Sequence, residues 1–95
     1  MPPVTRLGDI ALGHGCYPPS PTIEASSNVF ANSIAVHRLG DKIQPHACPD
    51  TPPHGRNSSS GSTSVFTNSK ATCGIGDAVN CGGIIAQGSN NVFRG

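Results

Sequence analysis

Ninety-five residues make one domain, and at that size only roughly 60–65% of the unfolded surface can be buried, so the core is thin. Hydrophobic residues are 35% of the chain, and Gly 12 and Pro 9 together exceed a fifth of it; something besides a core, such as a structural metal, has to hold the fold. A net charge of +1 from six scattered Lys and Arg excludes the clustered basic face that nucleic-acid binding needs.

Taken in chain order, the elements repeat. Arg6-Leu7-Gly8-Asp9 leads to His14, Arg38-Leu39-Gly40-Asp41 leads to His46, and Gly74-Ile75-Gly76-Asp77 leads to Cys81. Interleaved with these run Asn28-Val29-Phe30-Ala31-Asn32-Ser33, Ser64-Val65-Phe66-Thr67-Asn68-Ser69 and Asn91-Val92-Phe93. Repetition on this scale sets the architecture: three similar lobes, with boundaries at approximately 1–25, 26–59 and 60–95. The fold class is all-β, with small hairpins and no long helix, because nothing shows sustained helical periodicity and prolines interrupt most windows long enough to test it. Asn-Ser at 32–33 and 68–69 suits hairpin turns, since Asn tolerates positive φ. Each Gly-Asp pair suits the next bend, Gly relaxing the backbone and Asp accepting nearby amide hydrogens. Pro45 to Ser64 reads as the most irregular stretch, and it lengthens the second repeat.

Four cysteines and four histidines are present. No apolar stretch at the N-terminus suits a signal peptide, and no run reaches membrane-spanning length. Synthesis in a reducing cytosol favours metal over disulfide for Cys mixed with His.

These residues carry a resemblance to the PAAR-repeat family. The family's tetrad, Pro-Ala-Ala-Arg in the consensus, stands as Pro3-Val4-Thr5-Arg6, Ala35-Val36-His37-Arg38 and Ala71-Thr72-Cys73-Gly74. Its ligand elements stand as His14-Gly15, Cys48-Pro49 with His54-Gly55, and Cys81-Gly82-Gly83, and its closing element as Gly88-Ser89-Asn90-Asn91-Val92-Phe93. The chain departs from the pattern at Ser33 and Ser69, where a turn glycine is expected, and at Gly74, where the arginine is lost. The resemblance covers essentially residues 1–95 as a single PAAR-like domain. It implies a small cone of three pseudo-symmetric β lobes whose base sits on a trimeric β-helical spike, VgrG-like or of a phage tail, one copy per trimer. The cone is a monomer by itself, without a nucleic-acid partner, and touches the target envelope transiently. It is made in the bacterial cytoplasm without a signal peptide, then assembled at a virion tail tip or secreted by a type VI machine.

Eight side chains suit a soft or borderline metal: His14, His37, His46, His54, Cys16, Cys48, Cys73 and Cys81. A closed structural zinc site takes four. Repeat equivalence selects His14, His46 and Cys81, and the longer second repeat supplies His54. Three His and one Cys is also the set the resemblance implies, for Zn2+ or for iron in its place. Cys48 competes with His46, because the consensus places a cysteine before the second-repeat histidine. His37 and Cys73 occupy a tetrad position that accepts alanine, which favours packing over ligation. Cys16 reads as a small buried hydrophobe. Catalysis has little footing: no serine sits in a nucleophile elbow, no His-Glu-x-x-His helix exists, and Glu24 is the only glutamate. The expectation is a non-enzymatic, zinc-stabilised spike tip. The alternatives are a zinc hydrolase, which requires an open metal position, and a nucleic-acid-binding zinc module, which requires paired Cys-x-x-Cys spacing that is absent.

Overall fold

A computed structural model describes residues 2–13, 17–48 and 51–95. Among the described residues eight strands form four antiparallel hairpins, β1 (Ile10–Ala11) with β2 (Ser20–Pro21), β3 (Phe30–Ala31) with β4 (Ile34–Ala35), β5 (Lys42–Cys48) with β6 (Thr51–Asn57), and β7 (Phe66–Thr67) with β8 (Lys70–Ala71). There is no helix among the described residues. The fold is all-β, as composition and repetition predict.

Two tight turns follow directly from sequence. Asn32 and Ser33 have φ of 55° and 64°, and Asn68 and Ser69 have 53° and 67°, the left-handed pair that a two-residue type I′ hairpin requires. Serine at the second position stands where glycine is usual, at a steric cost. The three Gly-Asp bends also match: Gly8, Gly40 and Gly76 have φ of 89°, 85° and 95°. In each, the aspartate carboxylate accepts the amide three residues back, from Arg6 at 2.8 Å, Arg38 at 3.0 Å and Gly74 at 2.8 Å.

The lobes are tied into a closed triangle by three backbone hydrogen bonds. Thr5 N–H donates to Cys73 O (3.0 Å), His37 N–H to Thr5 O (2.9 Å) and Cys73 N–H to His37 O (3.2 Å). These equivalent residues are fully buried, so they mark a pseudo-three-fold axis. Ala11, Ile43 and Val79, each two residues past its aspartate, are buried in one cluster with Cys73 and Ile85. Val4, Ala31 and Val36 form a second cluster, with Val92 packed against it. The long dimension is 39 Å and the other two are both 23 Å, as a body with three-fold symmetry about its long axis requires.

Neither cluster is large, and polar staples do much of the holding. Ser26 Oγ accepts from Asn28 and Val29 amides, Ser62 Oγ from Ser64 and Val65, and Ser89 Oγ from Asn91 and Val92. Two of the hydroxyls then donate to a different lobe, Ser26 to Asn68 Oδ1 (2.6 Å) and Ser89 to Asn32 Oδ1 (2.5 Å), while Ser62 donates to Gly95 O (3.0 Å). Such buried polar groups are tolerated because each has a partner.

The third hairpin is split. Where β3 pairs Phe30 with Ala35 and β7 pairs Phe66 with Ala71, Phe93 pairs with Pro3. Val4 N–H donates to Val92 O (2.9 Å) and Arg94 N–H to Pro2 O (3.0 Å). Residues 2–4 supply the returning strand for 92–94.

The stretch from Pro45 corrects the sequence reading. It begins with the longest hairpin described, β5 with β6, seven residues on each side. Its register runs Lys42 to Asn57, Ile43 to Arg56, His46 to His54 and Cys48 to Thr51, with shifts on either side of the His46–His54 pair. The first shift leaves an extra residue on β5 around Pro45, the second an extra residue on β6 around Pro52-Pro53. Proline cannot donate to the ladder and is accommodated at bulges; the irregular composition produces an irregular strand pair rather than a loop.

Candidate metal centre

His46 and Cys81 meet at one place although 35 residues separate them. Cys81 Sγ lies 3.9 Å from His46 Nε2, and His46 is buried. The β5–β6 register sets His54 directly opposite His46, which in an antiparallel pair brings the Cα atoms to roughly 4.5–5.5 Å. His14 and Cys16 lie outside the described residues, as do the side chains of His54 and Cys48. Among the described residues no cluster of three metal-ligating side chains occurs.

The neighbouring glycines show how tightly the chain closes here. A Cβ on Gly13 would fall 1.8 Å from Tyr17 O, and one on Gly83 2.3 Å from Leu12 O. Gly82 has φ of 105°. Only glycine fits these positions, so Gly13 and Gly82-Gly83 hold the segments beside His14 and Cys81 in close approach.

The imidazole of His46 is oriented from its far side. Nδ1 lies 2.9 Å from Pro18 O and 2.9 Å from Arg56 Nη1. The carbonyl can only accept and the guanidinium can only donate, so Nδ1 serves one of them at a time. Protonated at Nδ1, His46 donates to Pro18 and turns the lone pair of Nε2 towards Cys81. Tyr17 stacks on the same ring, with centroids 4.8 Å apart at 35°. Arg56 is only 3% exposed; its Nη2 donates to Ala11 O at 2.8 Å. Burial pulls the guanidinium below its ordinary range, and the electrostatic influence of Cys81 partly offsets this. Neither Tyr17 nor Arg56 was singled out from sequence: a lone Tyr and an Arg outside the repeated tetrad carry no spacing signal.

The tetrad residues His37 and Cys73 belong to the lobe junction. His37 Nδ1 donates to Glu24 O (2.8 Å) and Nε2 meets Ser58 Oγ (3.1 Å). Burial is the main cause pulling this imidazole below its ordinary value. Cys73 Sγ donates to Ser60 O (3.5 Å), and burial pushes its thiol up to about 11. Thr5 Oγ1 donates to Gln87 O (3.1 Å). Three different side chains thus serve one purpose, reaching a carbonyl two residues before Ser26, Ser62 or Ser89.

The arginine missing at Gly74 is replaced from elsewhere. Arg6 and Arg38 grip Asp9 and Asp41 through Nε, at 3.0 and 2.8 Å. Arg94 reaches Asp77 through Nη2 at 2.7 Å. A Cβ on Gly74 would lie 2.8 Å from Arg94 Nε and 2.7 Å from Pro3 O, so the replacement occupies the space.

The outer surface repeats as well. Phe30, Phe66 and Phe93 are 59%, 60% and 48% exposed, and Leu7, Leu39 and Ile75 are also exposed. Each trio occupies equivalent repeat positions. Val29 and Val65 are exposed beside their phenylalanines, whereas Val92 is half-buried.

A family model described as PAAR motif matches residues 12–87, about four-fifths of the chain. No curated protein matches it. That family is associated with the spike tips of type VI secretion and phage machinery and is a structural family rather than an enzyme family.

Proposed function

The chain belongs to the PAAR-motif family, and from that premise we propose that it is the zinc-stabilised tip of a trimeric β-helical spike. One copy caps three spike chains and acts mechanically, as a rigid point driven through a target envelope. The observation that carries this reading is the threefold exposure of Phe30, Phe66 and Phe93 around a closed triangle of lobes. A single chain with three equivalent apolar positions matches a partner with three equivalent chains, and repeated exposed apolar residues mark an interaction face.

The residues present fit the metal. Zn–N of roughly 2.0–2.1 Å and Zn–S of roughly 2.3 Å at a tetrahedral angle separate nitrogen from sulfur by about 3.6 Å, close to the 3.9 Å between His46 Nε2 and Cys81 Sγ. His46 and Cys81, with His54 across the strand and His14 beyond Gly13, would hold it. Four protein ligands make a closed site that supports folding; iron is the other occupant such donors accept. The chain's own contribution is orientation: Pro18 O selects the His46 tautomer, and Tyr17 holds the ring plane.

Two measurements test the reading. Elemental analysis of purified protein is expected to give one zinc per chain. Mixing with the C-terminal β-helix of a cognate spike is expected to give a complex mass of one copy per trimer, burying roughly 1,200–2,000 Å². Three copies per trimer, or no binding to the spike, overturns the cap.

A further inference from the structure

Six short segments close into a ring. Residues 10–12 pair with 21–23 on one side through Ile10 and Pro21, and with 84–86 on the other through Ala11 and Ile85. The pairs Thr22–Ile43, Lys42–Asn57, Ser58–Val79 and Ala78–Ile84 bring in residues 42–44, 57–59 and 78–80 and complete the circuit. Ala11, Thr22, Ile43, Ser58, Val79 and Ile85 are buried inside it. Their neighbours on each segment face outward, as strand alternation requires.

The outward positions divide the ring into two halves. On three adjacent segments all six are apolar: Ile84 and Ala86, Ile10 and Leu12, Pro21 and Ile23. Leu12, Ile23 and Ile84 are 46%, 49% and 49% exposed. The other three segments carry Lys42, Gln44, Asn57, Ser59 and Asn80, with Ala78 the one apolar residue among them. Leu12 stands three residues past Asp9, where the other lobes have Gln44 and Asn80. The apolar half therefore occurs once per chain. A three-fold spike cannot use it three times, so it is separate from the repeated face of Phe30, Phe66 and Phe93. A clustered exposed apolar surface marks an interaction site.

Topology and size select the occupant. Among the described residues each segment is paired on both sides, so the ring offers no edge to which a partner strand could add. Three segments about 4.8 Å apart, two outward residues deep, give a patch of roughly 15 by 10 Å. That falls well short of the roughly 800 Å² a side that a stable pair of folded domains buries, which rules against a second copy. It matches one helix, about 10 Å across, lying over the strands for about ten residues. The charges at its border are opposite in sign: Glu24 follows Ile23, and its carboxylate accepts the Lys42 amide at 2.9 Å. They give no net attraction to an anionic lipid surface. A charged group laid on the six apolar residues would lose its water without gaining a partner, so the helix must present an uncharged stripe.

We propose that the apolar half of the ring is a docking surface for one amphipathic helix of a partner protein, held at one copy per chain by apolar anchors three and four residues apart over Leu12, Ile23 and Ile84. The site depends on neither the metal nor the spike.

The test places a photo-crosslinking amino acid at position 12 or 84, with positions 44 and 59 as controls, in cells that make the protein. Leu12, Ile84, Gln44 and Ser59 are all exposed, so the core is untouched. The expected result is an adduct with one protein from positions 12 and 84 and none from the controls, the crosslinked residues mapping to a helix with an uncharged apolar stripe. A synthetic peptide of that helix is expected to bind the purified chain and to lose roughly 10–100-fold in affinity for Leu12→Gln with Ile84→Asn, which copies Gln44 and Asn57 from the equivalent positions. Adducts with lipid or with a second copy, equal adducts from the controls, or none at positions 12 and 84 overturn the proposal and leave the spike-cap reading standing. A peptide that binds the double variant as it binds wild type overturns it as well. Crosslinking is a gain of signal, so it decides the matter even where the double variant folds poorly.

Discussion

Arg94→Ala removes the cation that stands in for the arginine missing at position 74. Asp77 would keep the Gly74 amide at 2.8 Å and Ser60 Oγ at 3.4 Å, but its carboxylate would lose the 2.7 Å contact to Arg94 Nη2. The two side chains are 11% and 8% exposed, so the pair is far from the surface case, worth about 0–1 kcal/mol. Breaking a buried pair by deleting one partner costs about 3–5 kcal/mol. Arg94 makes a single contact to the carboxylate and leaves Nε without a partner among the described residues, which lowers the expected loss to about 2–3 kcal/mol. With a urea m-value near 1 kcal/mol/M for a chain this small, the midpoint falls by about 2–3 M. Arg38→Ala is the internal standard. Its guanidinium holds fully buried Asp41 through Nε at 2.8 Å and Nη2 at 3.0 Å, so its loss is expected to be larger. A double-mutant cycle of Arg94→Ala with Asp77→Asn isolates the pair. A coupling below about 0.5 kcal/mol, the level of an exposed pair, would refute Arg94 as the substitute clamp.

Ser33→Gly and Ser69→Gly should each stabilise by about 0.5–1 kcal/mol: relief of left-handed strain, about 1–2, exceeds the added freedom of the unfolded chain, about 0.4–1; a lowered urea midpoint would contradict this. His37 has its value lowered from 6.5 in the fold, so below that pH the unfolded chain binds the extra proton; stability is full above about 6.5 and drains as pH falls through it. His37→Thr, copying Thr5, should flatten this loss in thermal melts between pH 7 and 5, and parallel curves would refute it. Chelation under reducing conditions should remove on the order of 10 kcal/mol of folding free energy, and an unchanged Tm with the metal gone refutes structural zinc. His14→Ala, His46→Ala, His54→Ala and Cys81→Ala should strip metal while His37→Ala and Cys73→Ala retain it, as elemental analysis would show.

Repetition made the turns legible. Gly8, Gly40 and Gly76, and the Asn-Ser pairs, announce local backbone geometry through residue type, and the structure places all of them at positive φ. The convergence of His46 and Cys81 was also readable, because equivalent positions in a cyclic repeat must face the same axis. What escaped lies in compensation across the chain. Arg94 replaces an arginine at position 74 from 20 residues away, and nothing in its neighbourhood says so. Arg56 and Tyr17 reach His46 through the β5–β6 hairpin and the close approach of Gly13 to Tyr17, contacts set by folding rather than by spacing. Proline misled in the second repeat: Pro45, Pro52 and Pro53 break the ladder's regularity without ending the strands, since each register shift absorbs them.

The split third hairpin gives the molecule a particular order of assembly. A linear repeat protein can add units one at a time, each resting on the last. Here the first lobe borrows from residues 92–94, because Pro3 waits for Phe93 and Val4 for Val92. On a ribosome, the β3–β4 and β7–β8 hairpins can zip as they emerge, while the triangle through Thr5, His37 and Cys73 stays open until Cys73 arrives. The staple from Ser62 to Gly95 O forms later than either hairpin. Closing that gap brings together positions about 90 residues apart, a contact whose entropic cost is met only when the remaining lobes are already in place. Folding is therefore an all-or-none closure in which residues 92–94 complete the first lobe.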